Sequence, residues 1–583
     1  MSLLNVVLLS AVALAAAYWL YGRLLARLFK LDPGRPTPAV EMRDDVDYVP
    51  IAPRFLLSQH FSAIAAAGPI VGPILAGVMF GWLPALLWIL LGSIFIGGVH
   101  DLGALVASIR HRARSIAEVV REHMSRRSYL LFLAFVWIAL VYIIVAFTDI
   151  TASSFVGVKT LESGQPLTGG AIATSSMLYL ALPVLMGLLL RYARLPLGWA
   201  TVVFLPLVGL AIWVGPFIPF DLAAVLGTGT AQAHKTWDAL LLAYCFVASL
   251  VPMWCLLQPR GHLGGYFLFA ALLGGTLGLM FGGRTAQYPA FVNWTTPKGE
   301  SLFPMLFITV ACGACSGFHA IIASGTTSKQ LKGETDARII GYGAMLLEGL
   351  VAVVSLCCVM MLAPGTPLLS NPQPNFIYAQ GIGSFLEVLG IPAALGISFG
   401  LMAFTTFVYD TLDVCTRLGR YIVQELTGWH DRKGRWLATA VTVGTPLLFV
   451  MRRTVDAAGQ SIPAWKVFWS LFGASNQLLA ALTLLGVTVW LVRTQNARWV
   501  WLVTGLPTVW MYVMSMWALL VTIKTGFVNA AGFHLTADPV AWVALLLVTL
   551  ALLMLLEAFK VFFGPAPPRA PDRRPLPAPV PAG

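Results

Sequence analysis

Long apolar runs, separated by short polar stretches, follow one another along most of the chain. Most of them reach the ~20 residues that a helix needs to cross a hydrocarbon layer about 30 Å thick, so we predict about fifteen transmembrane helices. These lie at residues 3–25, 55–80, 82–109, 129–152, 174–190, 196–215, 237–257, 263–282, 303–325, 338–363, 385–411, 436–451, 464–491, 499–523 and 538–562. The pattern is typical of an all-α polytopic membrane protein.

The composition supports the same class. Of the 583 residues, 58% are hydrophobic and 11% are charged, whereas soluble domains are about 45–50% apolar and about 25% charged. The mean hydropathy is +0.81. These values exclude a soluble enzyme, a disordered protein and a secreted disulfide scaffold. The seven cysteines are an odd number in or beside apolar runs, and the Cys312–Cys315 pair lacks a second ligand pair, so we expect neither disulfides nor a metal there.

The net charge of +12 comes from short Lys and Arg clusters between apolar runs, which indicates membrane topology rather than binding to nucleic acid. If the N-terminus is outside, the densest cluster, between residues 110 and 127, is cytoplasmic. The basic residues left in outer segments are then Lys159, Lys235, Arg284, Lys298, Arg452, Arg453, Lys466 and Lys524. We therefore predict an outer N-terminus and an inner C-terminus. Arg452 and Arg453 depart from the general excess of basic residues in cytoplasmic segments.

Two apolar runs are interrupted near their middle. Residues 67–73 read AGPIVGP, in which two prolines and two glycines favour unwinding. Residues 311–317 are a run of small residues ending in Ser316 and Gly317, where Ser316 could cap a new helix. Either interruption alone is compatible with a proline kink or a close helix-packing site. In the predicted topology, however, the two spans are antiparallel.

A pair of discontinuous helices in inverted orientation is typical of a secondary transporter with a binding site at the bilayer midplane. The half-helices that begin near Pro69 and Ser316 would direct free amide hydrogens toward a carboxylate. The predicted substrate-binding residues are Gly68, Pro69, Gly72, Gly313, Ser316 and Gly317.

Few ionisable residues lie inside the predicted spans, so each is a candidate for ion coupling. Asp149, flanked by threonines, is interpreted as a site for a coupling ion or a proton, or as a buried structural hydrogen bond. His100 and Asp101 are a second candidate pair. Thr405 and Thr406 could supply oxygen ligands to a cation.

Other polar residues within or beside spans are predicted to be structural. Asp410 and Asp413 lie near one end of their run, where pairing with Arg417 or Arg420 is expected. Asn476 and Gln477 are expected to form hydrogen bonds between helices.

The sequence contains none of the GxSxG, Walker or GxGxxG motifs that would mark a soluble catalytic or ATP-binding domain. Energy for transport must then come from an ion gradient, or transport is passive. No metal or cofactor is predicted, because no HExxH-like spacing ties His60, His100 or His319 together. Two alternatives to a transporter come from other classes of protein. One is an intramembrane metalloenzyme built on His100, Asp101 and His319, and the other is a nutrient sensor.

Several segments resemble the carbon starvation protein A (CstA) family over roughly residues 45–490. They are AGPIVGP at 67–73, GVHD at 98–101, CGACSGFH at 312–319, SGTTSKQ at 324–330, ETDARIIGYG at 334–343 and FGASNQLLA at 472–480. The resemblance implies importers of peptides or pyruvate in the bacterial cytoplasmic membrane, used in carbon starvation. It also implies a fold similar to transporters with an inverted-repeat core (LeuT/APC-like), and proton symport for the pyruvate members.

We therefore predict a secondary active importer of pyruvate or short peptides, coupled to protons or sodium. Its parts are an anchor helix at 1–30, a transporter core at 45–490, further helices at 499–562 and a disordered Pro-rich tail at 564–583. The chain is shorter than enterobacterial members, and its residues 147–151 have no clear match there, so the substrate and the ion stay open, as does the oligomeric state. The charged loop at 324–343 is interpreted as a gate or as a solvated connector.

Overall fold

Helices make up nearly all of the regular structure in the computed structural model. It describes residues 1–44, 48–160, 166–297, 299–370, 372–429, 431–452, 454–455, 461–495, 497–529, 532–536 and 538–564. The predicted disordered tail lies outside the described residues except for Gly564.

The helices of the first half are α1 (Leu3–Leu28), α2 (Pro38–Glu41), α3 (Pro53–Ile64), α4 (Gly68–Phe80), α5 (Trp82–Gly92), α6 (Gly98–Arg110), α7 (Ile116–His123), α8 (Arg126–Ser154), α9 (Gly169–Tyr192), α10 (Leu197–Val214), α11 (Leu222–Leu226), α12 (Thr230–Leu250) and α13 (Leu257–Phe281). Those of the second half are α14 (Leu302–Thr309), α15 (Ala311–Ala314), α16 (Gly317–Gly325), α17 (Ala344–Met360), α18 (Pro367–Ser370), α19 (Pro374–Glu387), α20 (Ala393–Thr427), α21 (Arg432–Met451), α22 (Ala464–Gln495), α23 (Leu506–Phe527) and α24 (Pro539–Phe563).

Shorter elements join these helices. The π-helical turns are Ser93–Gly97, Arg338–Gly343 and Trp501–Gly505, and the 3-10 turns are Gly215–Phe217, Thr327–Lys329 and Glu334–Asp336. Antiparallel two-stranded hairpins pair β1 (Val158–Thr160) with β2 (Pro166–Thr168), β3 (Thr454–Val455) with β4 (Ser461–Ile462), and β5 (Val528–Asn529) with β6 (Gly532–Phe533).

The all-α polytopic class is confirmed, but the number of spans is not. Twelve helices in the described part of the chain are long and apolar enough to cross a membrane, or thirteen if α3 and α4 form one bent span. The predicted span at 385–411 is wrong at its start, because α19 ends at Glu387 and α20 begins at Ala393. Gly390, with φ of 82°, turns the chain between them. The predicted span at 237–257 ends early, at Leu250, because Pro252 holds Val251 extended.

Both predicted interruptions are present. The α3 and α4 axes differ by 48° across residues 65–67, where Ala65 leaves the helical region with ψ of 68°. In the second span, Cys315 and Ser316 are extended and separate α15 from α16.

The two interrupted spans pack directly against each other. A Cβ atom at Gly68 would overlap the Cys312 side chain, and one at Gly72 would lie 2.5 Å from the Thr309 main-chain oxygen. The numbering rises along one span as it falls along the other, so the two spans are antiparallel at this contact. This is the arrangement predicted for the inverted core.

The described helices define two ends of the bundle. At the end that we call the basic face, Arg110 donates to the carbonyl oxygen of Phe29 beside the end of α1 (2.8 Å). On the same face Ser125 donates to Glu557 near the end of α24 (3.0 Å). The first helix begins at the opposite face, where the Leu3 amide bonds to the Arg284 carbonyl (3.0 Å). The first helix thus starts on the face opposite to the one where α24 ends.

Because the two breaks are in close contact, we expect a glycine there to tolerate an added methyl group less well than a glycine on an open helix face. Gly72→Ala should lower the stability by about 1–3 kcal/mol, because its Cβ would meet main-chain atoms that cannot move aside. Gly209→Ala, in α10, is the matched control, since a Cβ there meets nothing within 4 Å. Thermal melting of both purified variants in detergent checks this. Equal melting temperatures for the two would contradict the packing.

Candidate functional site

A buried polar network lies beside the two breaks and joins three helices. On α6, Asp101 accepts a hydrogen bond from Nδ1 of His319 on α16 (2.8 Å) and pairs with Nδ1 of His100 (2.7 Å). On α17, Glu348 places Oε2 at 3.1 Å from Nε2 of His319. All four side chains are fully buried.

The helices fix the position of this network. His319 is the third residue of α16 and so moves with the half-helix that starts at the second break. Asp101 and His100 follow the π-helical turn that joins α5 to α6, and Glu348 lies on α17, which packs against α4. Unpaired charges in such a space are costly, so protonation of one group must be balanced by its neighbours.

The sequence predicted only part of this network. The pair His100 and Asp101 was among the ion-coupling candidates, and the structure adds His319 and Glu348 to it. His100 and His319, which no motif spacing links in the sequence, both contact Asp101. A single Glu in an otherwise apolar helix was the available signal for Glu348.

The start of α16 is capped by a neighbouring helix. Asn476 of α22 accepts the Phe318 amide (3.0 Å) at Oδ1 and also bonds to the Ser316 hydroxyl (3.2 Å). Ser316 occupies the predicted N-cap position, but its own hydroxyl caps no amide. One amide that was expected to face a substrate is therefore already satisfied.

The expectation that Asn476 and Gln477 bond between helices is confirmed. Gln477 donates to the carbonyl oxygen of Phe307 on α14 (2.6 Å). Both amide side chains therefore hold the halves of the second broken span in place against α22.

The six predicted substrate-binding residues are all buried around the two breaks. A Cβ atom at Gly313 would lie 2.7 Å from the Ala352 methyl group, and one at Gly317 would lie 2.5 Å from the Asn476 carbonyl oxygen. Four cavities of about 530, 510, 350 and 700 Å³ in the described part of the chain have none of the six in their walls. Binding of a substrate there stays a prediction.

Asp149 lies in a different part of the protein. Its Oδ2 accepts the Trp465 amide at the start of α22 (2.9 Å), and its Oδ1 is 3.3 Å from Nε2 of His234. Trp465 precedes Asn476 by about 16 Å along the helix, at 1.5 Å per residue. The structure therefore does not bring Asp149 to the breaks.

The two threonines proposed as cation ligands lie on α20. Thr405 donates to the Met402 carbonyl (3.1 Å) and is 3.3 Å from the hydroxyl of Ser176 on α9. The Thr406 hydroxyl is buried without a hydrogen-bond partner among the described residues. Neither hydroxyl bonds to the Asp101 network.

The expected pairing of Asp410 and Asp413 with Arg417 or Arg420 is wrong. Both acids pair with Arg260 of α13, at 2.7 Å and 2.5 Å. Arg417 instead donates to the Ala248 and Val251 carbonyls, which are free because α12 ends there. The apolar run predicted for α13 began after Arg260, so the sequence offered little reason to consider it.

Arg260 and its acids touch the first break. The Ser62 hydroxyl, near the end of α3, donates to Asp410 (2.5 Å). This second buried network therefore holds the half-helix that leads into the first break.

A cavity of about 530 Å³ opens at the basic face between α8, α16 and α20. Its charged lining residues are Arg114, Arg121, Lys329 and Arg417 against Glu118 and Glu425. Cations outnumber acids, so the cavity favours anions. Part of the 324–343 loop lines it, and Glu334 of that loop is buried and paired with Arg110 (2.5 Å), so this part of the loop is docked rather than solvated.

Two groups of side chains in the described part of the chain could hold a metal ion. They are Asp149, His234 and Asp238, and, near the basic face, His111, Glu122 and His123. The set His100, Asp101 and His319 is not among them. The metalloenzyme alternative therefore finds no support in the ligand geometry.

Comparison with known proteins gives the following matches. A family model described as carbon starvation protein CstA matches residues 2–377 and 366–518, beyond both ends of the predicted core. The pyruvate/proton symporter BtsT of Escherichia coli (strain K12) is 31% identical, over 89% of this chain and 81% of its own length. The peptide transporters CstA of Campylobacter jejuni (32%; 86% and 77%) and Bacillus subtilis (30%; 94% and 95%) match similarly.

Among solved structures, the Eremococcus coleocola manganese transporter matches with a TM-score of 0.43 at 14% identity, over 89% of this chain and 98% of that one. MhsT in complex with L-phenylalanine matches with a TM-score of 0.44 at 13% identity, over 87% and 98%.

Capping of α16 from α22 predicts a specific effect of Asn476. Asn476→Ala should destabilise the protein by about 1 kcal/mol or more, because a buried helix amide loses its acceptor. Ser475→Ala is the control, since its hydroxyl bonds only to the Phe472 carbonyl of its own helix (3.0 Å). Melting temperatures in detergent compare them, and an unchanged value for Asn476→Ala would exclude the capping role.

Proposed function

The chain belongs to the carbon starvation protein CstA family, and we propose that it is a proton-driven importer of a small carboxylate such as pyruvate or a short peptide. Like its relatives, it is a membrane transporter and not an enzyme. The names of those relatives support both substrates, and one of them names the proton.

The observation that carries the proposal is the network of Asp101, His319 and Glu348 beside the breaks. Two carboxylates flank one imidazole at 2.8 and 3.1 Å in a fully buried space. Asp101 is hydrogen-bonded to His319, whereas His319 and Glu348 lie at ion-pair distance without a hydrogen bond. Gain or loss of one proton changes the balance of charge among these three groups, which lie on α6, α16 and α17. A proton bound here would bias the position of the α16 half-helix.

The donor set favours a proton over sodium. Hard cations take oxygen ligands, whereas the central group here is an imidazole held by acids. In the proposal Asp101, which also pairs with His100, therefore acts in proton coupling together with His319 and Glu348. Coupling through Asp149, Thr405 or Thr406 is the competing prediction.

The cavity at the basic face supports an anionic substrate. Its volume of about 530 Å³ lies within the range of small-molecule sites, and its excess of cations would attract a carboxylate. We propose that substrate passes between this cavity and the breaks, where Gly68, Pro69, Gly72, Gly313, Ser316 and Gly317 contact it once the half-helices separate.

The distribution of charge supports an orientation. We propose that the basic face lies in the cytoplasm of a bacterial cell, with the N-terminus outside and the C-terminus inside the cytoplasmic membrane. The cavity would then open inward, in the state from which an imported substrate leaves.

Uptake into proteoliposomes tests the proposal. Labelled pyruvate and a labelled dipeptide are each supplied with an inward proton gradient, an inward sodium gradient, or neither. One substrate should accumulate with the proton gradient alone. Sodium-driven accumulation would contradict proton coupling, and no uptake of either would contradict the proposed substrates.

Variants then assign the coupling site. Asp101→Asn and Glu348→Gln should lose accumulation above equilibrium but keep exchange of labelled for unlabelled substrate, because exchange needs no net proton movement. Asp149→Asn is the comparison and should still accumulate substrate. The reverse result, with Asp149→Asn uncoupled and Asp101→Asn active, would move the coupling role to Asp149.

A further inference from the structure

We propose that Asp149, His234 and Asp238 form a binding site for a divalent transition-metal ion, for which Zn²⁺ is the suitable probe. His234 and Asp238 are four residues apart on α12 and so lie on one face of it. That face meets Asp149 on α8. The ligand atoms of the three side chains all lie within 4.8 Å of one another.

Three carboxylate oxygens at this site are buried without a hydrogen-bond partner among the described residues. They are both oxygens of Asp238 and Oδ1 of Asp149. The two side chains are fully buried. Buried carboxylates without partners are costly and are normally paired or bound to a cation.

The ammonium group of Lys235 does not hydrogen-bond to these carboxylate oxygens. Nζ of Lys235 is 3.9 Å from Oδ2 of Asp238, at the limit of an ion pair, and it donates a hydrogen bond to the Val450 carbonyl. A metal ion between α8 and α12 would instead contact an oxygen of each acid.

Geometry and donor chemistry select the class of ion. Nε2 of His234 is 3.1 Å from the Asp149 main-chain oxygen and 3.3 Å from Oδ1 of Asp149. Binding of a metal through Nε2 replaces the hydrogen bond to the main-chain oxygen and releases the Nε2 proton. Two ligands of a tetrahedral zinc ion with bonds of ~2.0–2.1 Å are about 3.3 Å apart. One imidazole with two carboxylates suits Zn²⁺ and related first-row metals better than Mg²⁺ or Ca²⁺, which prefer oxygen alone. A fourth position would be left for water.

The site is separate from the proposed transport centre and reachable from the surface. The His234 side chain is 16% exposed, and Asp149 is bonded to the start of α22 rather than to its middle, where Asn476 caps α16. Its function would be to tie α8 to α12. The proposal does not depend on proton coupling or on the identity of the substrate.

Zinc content of the purified full-length protein tests the site. The protein, free of a histidine tag, is equilibrated with Zn²⁺, separated from free ion by gel filtration and analysed by mass spectrometry of the metal. Wild type should retain one more equivalent than Asp238→Asn or His234→Ala, and Zn²⁺ should raise the melting temperature of wild type but not of these variants.

His123→Ala is the matched control, because it removes a ligand from the other His and carboxylate group. It should lose none of the zinc assigned to α8 and α12, and Asp101→Asn should bind as wild type does. Equal zinc in wild type, Asp238→Asn and His234→Ala would overturn the proposal, as would loss of this zinc in His123→Ala alone. Asp149→Asn gives a third independent test if one variant is not monodisperse.

Discussion

A backbone that leaves the helical conformation at the centre of a membrane needs partners within the protein, because lipid offers none. Here each interrupted span is covered by the other. Gly72 lies against the main chain of the second span, and the small residues at both breaks let the backbones approach. Asn476 completes this arrangement by accepting the Phe318 amide. The helices around this contact are placed to support it.

Two buried charge networks border the breaks, one on each interrupted span. Arg260 with its two acids reaches Ser62 at the end of α3, and Asp101 reaches His319 at the start of α16. The first network contains a permanent cation matched by two acids, which suits a fixed structural role. The second contains no permanent cation, so its charge balance depends on protons. That difference is why we place the coupling proton in the second network.

Polar clusters elsewhere in the bundle are built differently. Asp149 accepts one main-chain amide and lies against the imidazole of His234 near the start of α12, with Asp238 close by. Its distance from the breaks separates the proposed metal site from the transport centre. The cavity at the basic face, by contrast, adjoins α16 itself and so connects the charged surface to the half-helix that starts at the second break.

The sequence by itself determined the helical membrane class, the two interruptions and their inverted orientation, because hydrophobic length, proline and glycine act locally. It also identified Asp101 and His100 as candidates, since a charge within an apolar run is visible without a structure. Only the tertiary structure decided their partners. His319 meets Asp101 across 218 residues of chain, and Arg260 meets Asp410 across 150. Helix packing, which no local pattern encodes, brings these groups together.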